Sequence, residues 1–209
     1  MILSQATYSD AAVGKDNSIL NDIHQPQKCI AVQQRDTQSL QPELEKLSKD
    51  FVEFRATGST EEIVAKLQAH IERKHGNYPL LIDDMAGLIK AFQAVTRSVS
   101  FRVLLATIDN NMCRKFHTDV NHLRMLCTYM GQGTMWVPSE GVKEVINTGK
   151  RELHINPNHI QQTKAGDVII LKGALYPDGN PILHRSPTIE ESGEERLLLR
   201  IDMNNPLLS

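Results

Sequence analysis

Phe101-Arg-Val-Leu-Leu-Ala-Thr-Ile108 is followed by Leu123-Arg-Met-Leu-Cys-Thr-Tyr-Met130, Asp167-Val-Ile-Ile-Leu-Lys172 and Arg196-Leu-Leu-Leu-Arg-Ile-Asp202. These runs are short and rich in residues that fit a pleated surface. Turn formers lie between them, at Asp109-Asn110-Asn111, Gly131-Gln132-Gly133 and Ala165-Gly166-Asp167. No stretch of helical periodicity separates the runs, so a parallel βαβ sheet is excluded. An antiparallel jelly roll or barrel of roughly eight strands fits residues 100–209.

Upstream the period changes. Leu44, Leu47, Phe51 and Phe54 fall on one face of a helix that Thr57-Gly58 would end. Ser59 and Glu62 form a capping box for a second helix, with Ile63, Leu67 and Ile71 as its apolar stripe. Leu81, Met85, Leu88, Phe92 and Val95 mark a third, with Pro79 in its first turn, where a missing N–H is harmless. Residues 37–99 thus read as a helical segment. Residues 1–36 are polar and aperiodic and read as a leader touching the body near Ile19, Leu20 and Ile23. The expectation is one compact α+β domain: an N-terminal helical layer packed on a C-terminal jelly roll.

The chain has 209 residues and a net charge of -2 with histidines neutral, so it lacks the basic footprint of a bulk nucleic-acid binder or a polybasic membrane patch. Three cysteines, Cys29, Cys113 and Cys127, make no disulfide framework. No apolar run approaches the roughly 18 residues of a membrane helix, and no basic-then-apolar signal opens the chain. A cytoplasmic protein is expected, with a small-molecule or protein substrate as its partner; oligomeric state is not encoded in these features.

One spacing carries chemistry: Phe116-His117-Thr118-Asp119. In an extended segment, side chains two apart point the same way, so this imidazole and carboxylate can reach one metal ion. His184, in Pro181-Ile-Leu-His-Arg-Ser-Pro187, is the candidate third ligand. Two imidazoles and a carboxylate on one face of an octahedron suit Fe(II) with open positions. On the last strand Arg196 and Arg200 share one side, with Leu197, Leu199 and Ile201 on the other. An arginine projecting into a pocket suits a bidentate carboxylate. The bland alternatives are a turn-capping Asp119, a backbone-bonded His184, and arginines paired on the surface with Glu190, Glu191, Glu194 or Glu195. Arg124 and Tyr129 are further candidates for ligand binding, and Cys113 and His122 raise a zinc alternative. Trp136 reads as packing at a barrel end.

His-x-Asp, a later His and an Arg on the final strand resemble the Fe(II)/2-oxoglutarate-dependent oxygenases. The resemblance implies a double-stranded β-helix (cupin-like) core, with His117, Asp119 and His184 as iron ligands. Arg196, with Arg200 in reserve, would hold the far carboxylate of 2-oxoglutarate. More narrowly, Cys113 to Asp119, Leu123 to Tyr129, Gly131 to Trp136, His184 to Pro187 and Arg196 to Leu199 resemble an uncharacterised proteobacterial domain family of unknown function. Members of that family are encoded beside zinc-responsive genes, so the resemblance also implies a link to zinc homeostasis. The leading expectation is therefore a dioxygenase using Fe(II) and 2-oxoglutarate. The alternatives are a cupin-like iron or zinc protein that never uses 2-oxoglutarate, and a non-enzymatic binding module.

Overall fold

The computed structural model describes residues 8–147, 150–177 and 179–204. In chain order the elements are β1 (Ala11–Gly14), β2 (Ile30–Gln33), α1 (Gln41–Leu47), β3 (Glu53–Gly58), α2 (Thr60–Lys74), α3 (Pro79–Thr96), β4 (Phe101–Ile108), β5 (Leu123–Met130) and β6 (Met135–Val137). They continue with β7 (Val142–Asn147), β8 (Lys150–Ile155), β9 (Gln161–Gln162), β10 (Val168–Lys172), β11 (Leu183–Arg185) and β12 (Arg196–Met203). The architecture is mixed helix and sheet. A seven-stranded sheet runs β1-β2-β10-β5-β12-β4-β3, a smaller one runs β11-β6-β9, and β7 and β8 form a separate ribbon.

Period-two alternation sorts the large sheet into two faces. Met125, Cys127, Tyr129, Val168, Ile170, Leu197, Leu199 and Ile201 join the cluster that includes Ile63, Leu67, Met85 and Phe92 of α2 and α3. On the other face Leu126, Ile169, Leu171 and Leu198 pack against Trp136 of β6 and Ile182 beside β11. The sheet is thus sandwiched between a helical layer and the smaller sheet. From β4 onward the chain alternates between the sheets: β4 and β5 in the large one, β6 and β9 in the small, β10 in the large, β11 in the small and β12 in the large. Between β4 and β5, His117 forms a bridge to His184 of β11, so the chain visits the small sheet there too.

The local signals for α2 and α3 are realised. The Glu62 amide donates to Ser59 Oγ at 3.3 Å, and the Ser59 amide donates to Glu62 Oε2 at 2.9 Å. Pro79 opens α3, which closes on Arg97 in the left-handed region. Two expectations are corrected. The first helix stops at Leu47; Phe54 lies on β3 opposite Leu105, and Phe51 is 61% exposed. The 3-4-3 spacing was real, but pairing along the open edge of β4 outweighs a single turn of helical periodicity. The stretch read as a leader also builds the body. Residues 1–7 lie outside the described residues, but β1 pairs in parallel with β2, which pairs antiparallel with β10. Between them a 3₁₀ segment, Asn17–His24, buries Leu20 and Ile23. No helix among the described residues is long and apolar enough to cross a membrane.

Candidate metal centre

His117 and His184 are held backbone to backbone: each amide donates to the other's carbonyl at 3.0 Å. Their rings lie 4.6 Å apart, centroid to centroid. His184 Nδ1 meets the Ile182 carbonyl at 3.2 Å, and His117 Nδ1 meets the Lys115 carbonyl at 3.1 Å. A carbonyl only accepts, so Nδ1 carries the proton in each ring and Nε2 presents its lone pair. Both Nε2 atoms face Asp119, at 3.7 Å from Oδ1 for His117 and 3.4 Å from Oδ2 for His184. One potential ligand atom from each of the three residues falls within 4.8 Å of the others. Asp119 Oδ2 is buried and has no hydrogen-bond partner. Lone pairs converging around an unpaired buried oxygen are the arrangement a cation completes.

Asp119 is oriented from behind. Arg124 Nη1 lies 2.6 Å from Oδ1, and Arg124 Nε donates to Asp202 Oδ1 at 2.6 Å. Asn121 also donates to Asp202 Oδ1, while Arg200 Nε lies 3.2 Å from Asp202 Oδ2 without being aligned as a hydrogen bond. Burial pushes the Asp119 carboxyl up, but the His184 imidazole when it carries a second proton, the Arg124 guanidinium and a likewise protonated His117 outweigh it and hold the group below its ordinary range. Arg124 thus takes Oδ1, the oxygen on the His117 side, and leaves Oδ2 turned to His184.

Arg196 is 1% exposed, which removes the surface-pairing alternative. Its Nη2 donates to Thr128 Oγ1 at 3.1 Å, while Nε and Nη1 have no partner. Burial lowers its pKa to about 10, so it keeps its proton at neutral pH. Buried cations are normally paired, and an anion beside Nε and Nη1 would pair this one. A cavity of about 50 Å³ joins these groups, lined among others by Cys113, His117, Arg124, His184, Arg196 and Arg200. Gly131 shapes the start of β12: it sits at φ 78°, and a Cβ there would fall 2.2 Å from the Glu195 carbonyl oxygen. A larger cavity, about 400 Å³, lies by Tyr8, Trp136 and Gln161 and shares no residue with this one. Trp136 meets Tyr8 edge-on there, in the packing role expected of it.

Five of the candidates from the sequence therefore meet here with Arg200. One does not. Tyr129 points to the helical layer, where its hydroxyl donates to Asp84 Oδ2 at 2.6 Å beside Arg35. Arg124 and Tyr129 lie an odd number of residues apart on β5, so the pleat sends them to opposite faces. Cys113 lines the cavity but is outside the three-residue metal group, as is His122. Asp202, which anchors Arg124, was not picked out from the sequence, although it shares the parity of Arg196 and Arg200.

A family model described as protein of unknown function (DUF1826) matches residues 14–202. The chain belongs to this family. The matched span reaches well upstream of the region that carries the motif resemblance and takes in β2 and all three helices. No curated protein matches the chain. Among solved structures, a bsmA homologue from Methylobium petroleophilum shares the fold at 8% identity and TM-score 0.50, covering 94% of this chain and 96% of that one. A prolyl-4-hydroxylase from Pseudomonas putida aligns at 10% identity and TM-score 0.49, with 90% and 97% of the two chains covered. The Arabidopsis thaliana dioxygenase for auxin oxidation 1, in its 2-oxoglutarate complex, aligns at 10% and 0.48, with 95% and 93% covered.

Proposed function

We propose that this chain is a mononuclear non-haem Fe(II)/2-oxoglutarate-dependent oxygenase of the cytoplasm, acting on a small metabolite or a protein side chain. The observation that carries the reading is a pair of orphans at one site: the Asp119 carboxylate, whose Oδ2 has no hydrogen-bond partner and towards which both imidazole Nε2 atoms turn, and the buried Arg196 guanidinium, which lines one cavity with His117 and His184 and has no counter-ion among the described residues. The alternation of β4, the His117 segment, β5, β6, β9, β10, β11 and β12 between two sheets supports a double-stranded β-helix, with the ligands on the small sheet and Arg196 on the large one. The donor set fits Fe(II): two nitrogens and one oxygen, leaving positions open.

His117, Asp119 and His184 would hold the iron, which with 2-oxoglutarate supplies oxidation of a substrate by O₂. The residues' own tasks are geometric and electrostatic. The backbone carbonyls of Ile182 and Lys115 keep Nδ1 protonated and aim Nε2 inward. Arg124 keeps Asp119 ionised and one oxygen turned to the site. Arg196, braced by Thr128, offers two unpartnered nitrogens, Nε and Nη1, to the distal carboxylate of the cosubstrate. Leu126 and Leu198 line the same cavity and limit its water.

The test is an anaerobic titration of metal-free protein with Fe(II) and then 2-oxoglutarate, followed by visible absorption. A weak charge-transfer band that needs both and is lost in Arg196→Ala is the expected result. Iron binding without the band would move the protein to the cupin-like class. No iron binding, or preferential tight zinc, would overturn the reading in favour of zinc handling.

A further inference from the structure

The sheet face that carries the site continues past β12. Arg200 of β12 pairs with Leu104 of β4, and Leu104 with Arg55 of β3; one step along, Asp202 pairs with Arg102, and Arg102 with Thr57. Directly opposed residues of antiparallel strands project to the same side, so Arg55, Arg102 and Arg200 share the face of Asp202 and Arg124, on three neighbouring strands. A cavity of about 310 Å³ lies over them, lined by the three arginines with Thr57 and Leu104. Arg200 lines this cavity and the metal cavity alike, so the two are neighbours across its side chain.

The positive charge here is poorly neutralised. The Arg102 side chain is exposed and makes no hydrogen bond or ion pair with any described residue. Among the described residues Arg55 pairs only with the exposed Glu53, at 3.2 Å, a contact that contributes little. Arg200 leans on Asp202, whose other oxygen already serves Arg124 and Asn121. Burial lowers the Arg200 pKa, and the charges of Arg124 and Arg55 push the same way against Asp202. Like charges on adjacent strands are unfavourable. In a protein of net charge -2, three of them gathered beside one cavity form a local exception that an anion would relieve.

We propose that this arginine shelf is the substrate subsite, and that the substrate is a small molecule bearing a carboxylate or phosphate. Arg55 and Arg102 hold the anionic group at the outer end, and Arg200 leads the rest of the molecule towards the metal centre. Guanidinium forks suit either oxyanion. What happens to the bound molecule rests on the oxygenase reading; the binding does not.

The test is calorimetry on the metal-free full-length chain at low, constant ionic strength, with pyrophosphate and citrate as probes. Wild type is compared with Arg55→Ala/Arg102→Ala, with Arg102→Glu and with Arg196→Ala. Saturable binding to one site is expected, weakened about tenfold or more by the double variant and by charge reversal, and changed by less than about twofold in Arg196→Ala. The tighter probe distinguishes a phosphate from a carboxylate group. Equal binding by wild type and the double variant overturns the proposal, as does the absence of saturable binding. Loss of binding in Arg196→Ala alone overturns it too, since the probe would then sit in the metal cavity. Both shelf substitutions are at exposed side chains, and an unchanged melting temperature confirms that the fold survives. Neither iron nor 2-oxoglutarate is present, so failure here leaves the charge-transfer test untouched, and failure there leaves this result standing.

Discussion

On β12, Leu197, Leu199 and Ile201 face the helices, while Arg196, Arg200 and Asp202 face the smaller sheet around Leu198. β5 repeats the division, with Met125, Cys127 and Tyr129 towards the helices and Arg124, Leu126 and Thr128 towards the site. The helical face is a continuous apolar layer in which the buried Tyr129 and Arg35 share Asp84. The other face keeps polar atoms without partners, on Asp119 and Arg196. Hydrophobic burial on one side of a strand thus supports groups on the other side that are unsatisfied until a ligand arrives.

Substitutions on alternate residues should separate the two faces. Leu199→Ala leaves a hole in the helical layer and should lower unfolding free energy by about 2–5 kcal/mol, read by chemical denaturation. The iron stoichiometry of the folded fraction should not change; loss of iron there would break the division. Asp119→Ala should do the reverse, weakening iron binding by more than about a hundredfold with little change in melting temperature. Metal analysis after anaerobic loading checks it, and full occupancy would sink the triad. Arg124→Lys keeps the charge but not the fork that spans Asp119 and Asp202, so iron affinity should fall about 10–100-fold while the triad stays intact.

Tyr129→Phe should lower stability by about 1 kcal/mol through the lost bond to Asp84, and leave 2-oxoglutarate binding unchanged in the titration. A change in binding would bring Tyr129 back to the site. The smallest effect is in thiol chemistry. Burial pushes the Cys127 pKa up to about 12, and burial likewise raises that of Cys29. A raised thiol pKa means less thiolate, so Cys127 and Cys29 are held in the unreactive thiol form at pH 8. Native protein treated with iodoacetamide should be modified first at Cys113, which is not buried. Mass spectrometry of the labelled peptides tests the order.

Much of the site was legible because it rests on short-range geometry. The i, i+2 spacing of His117 and Asp119 needs only an extended backbone, and the alternation of Arg196, Arg200 and the leucines needs only the pleat. The same parity argument places Asp202 in the site and removes Tyr129 from it. Residues with local caps were equally legible, Ser59 with Glu62 above all.

What the sequence by itself determined, then, is where α2 and α3 begin, the apolar strands of the β-rich half, and the chemical types of the candidate metal donors. Each follows from interactions within a few residues along the chain. Tertiary structure alone decided that Ala11–Gly14 and Ile30–Gln33 are strands, since runs of four residues gain their hydrogen bonds only from β10 and from each other. It also turned Phe54 from a helix face to the edge of β4. And it brought His184 against His117 and set Arg55, Arg102 and Arg200 side by side. Such contacts join residues far apart in sequence, and their free energy exists only once the sheets have closed around them.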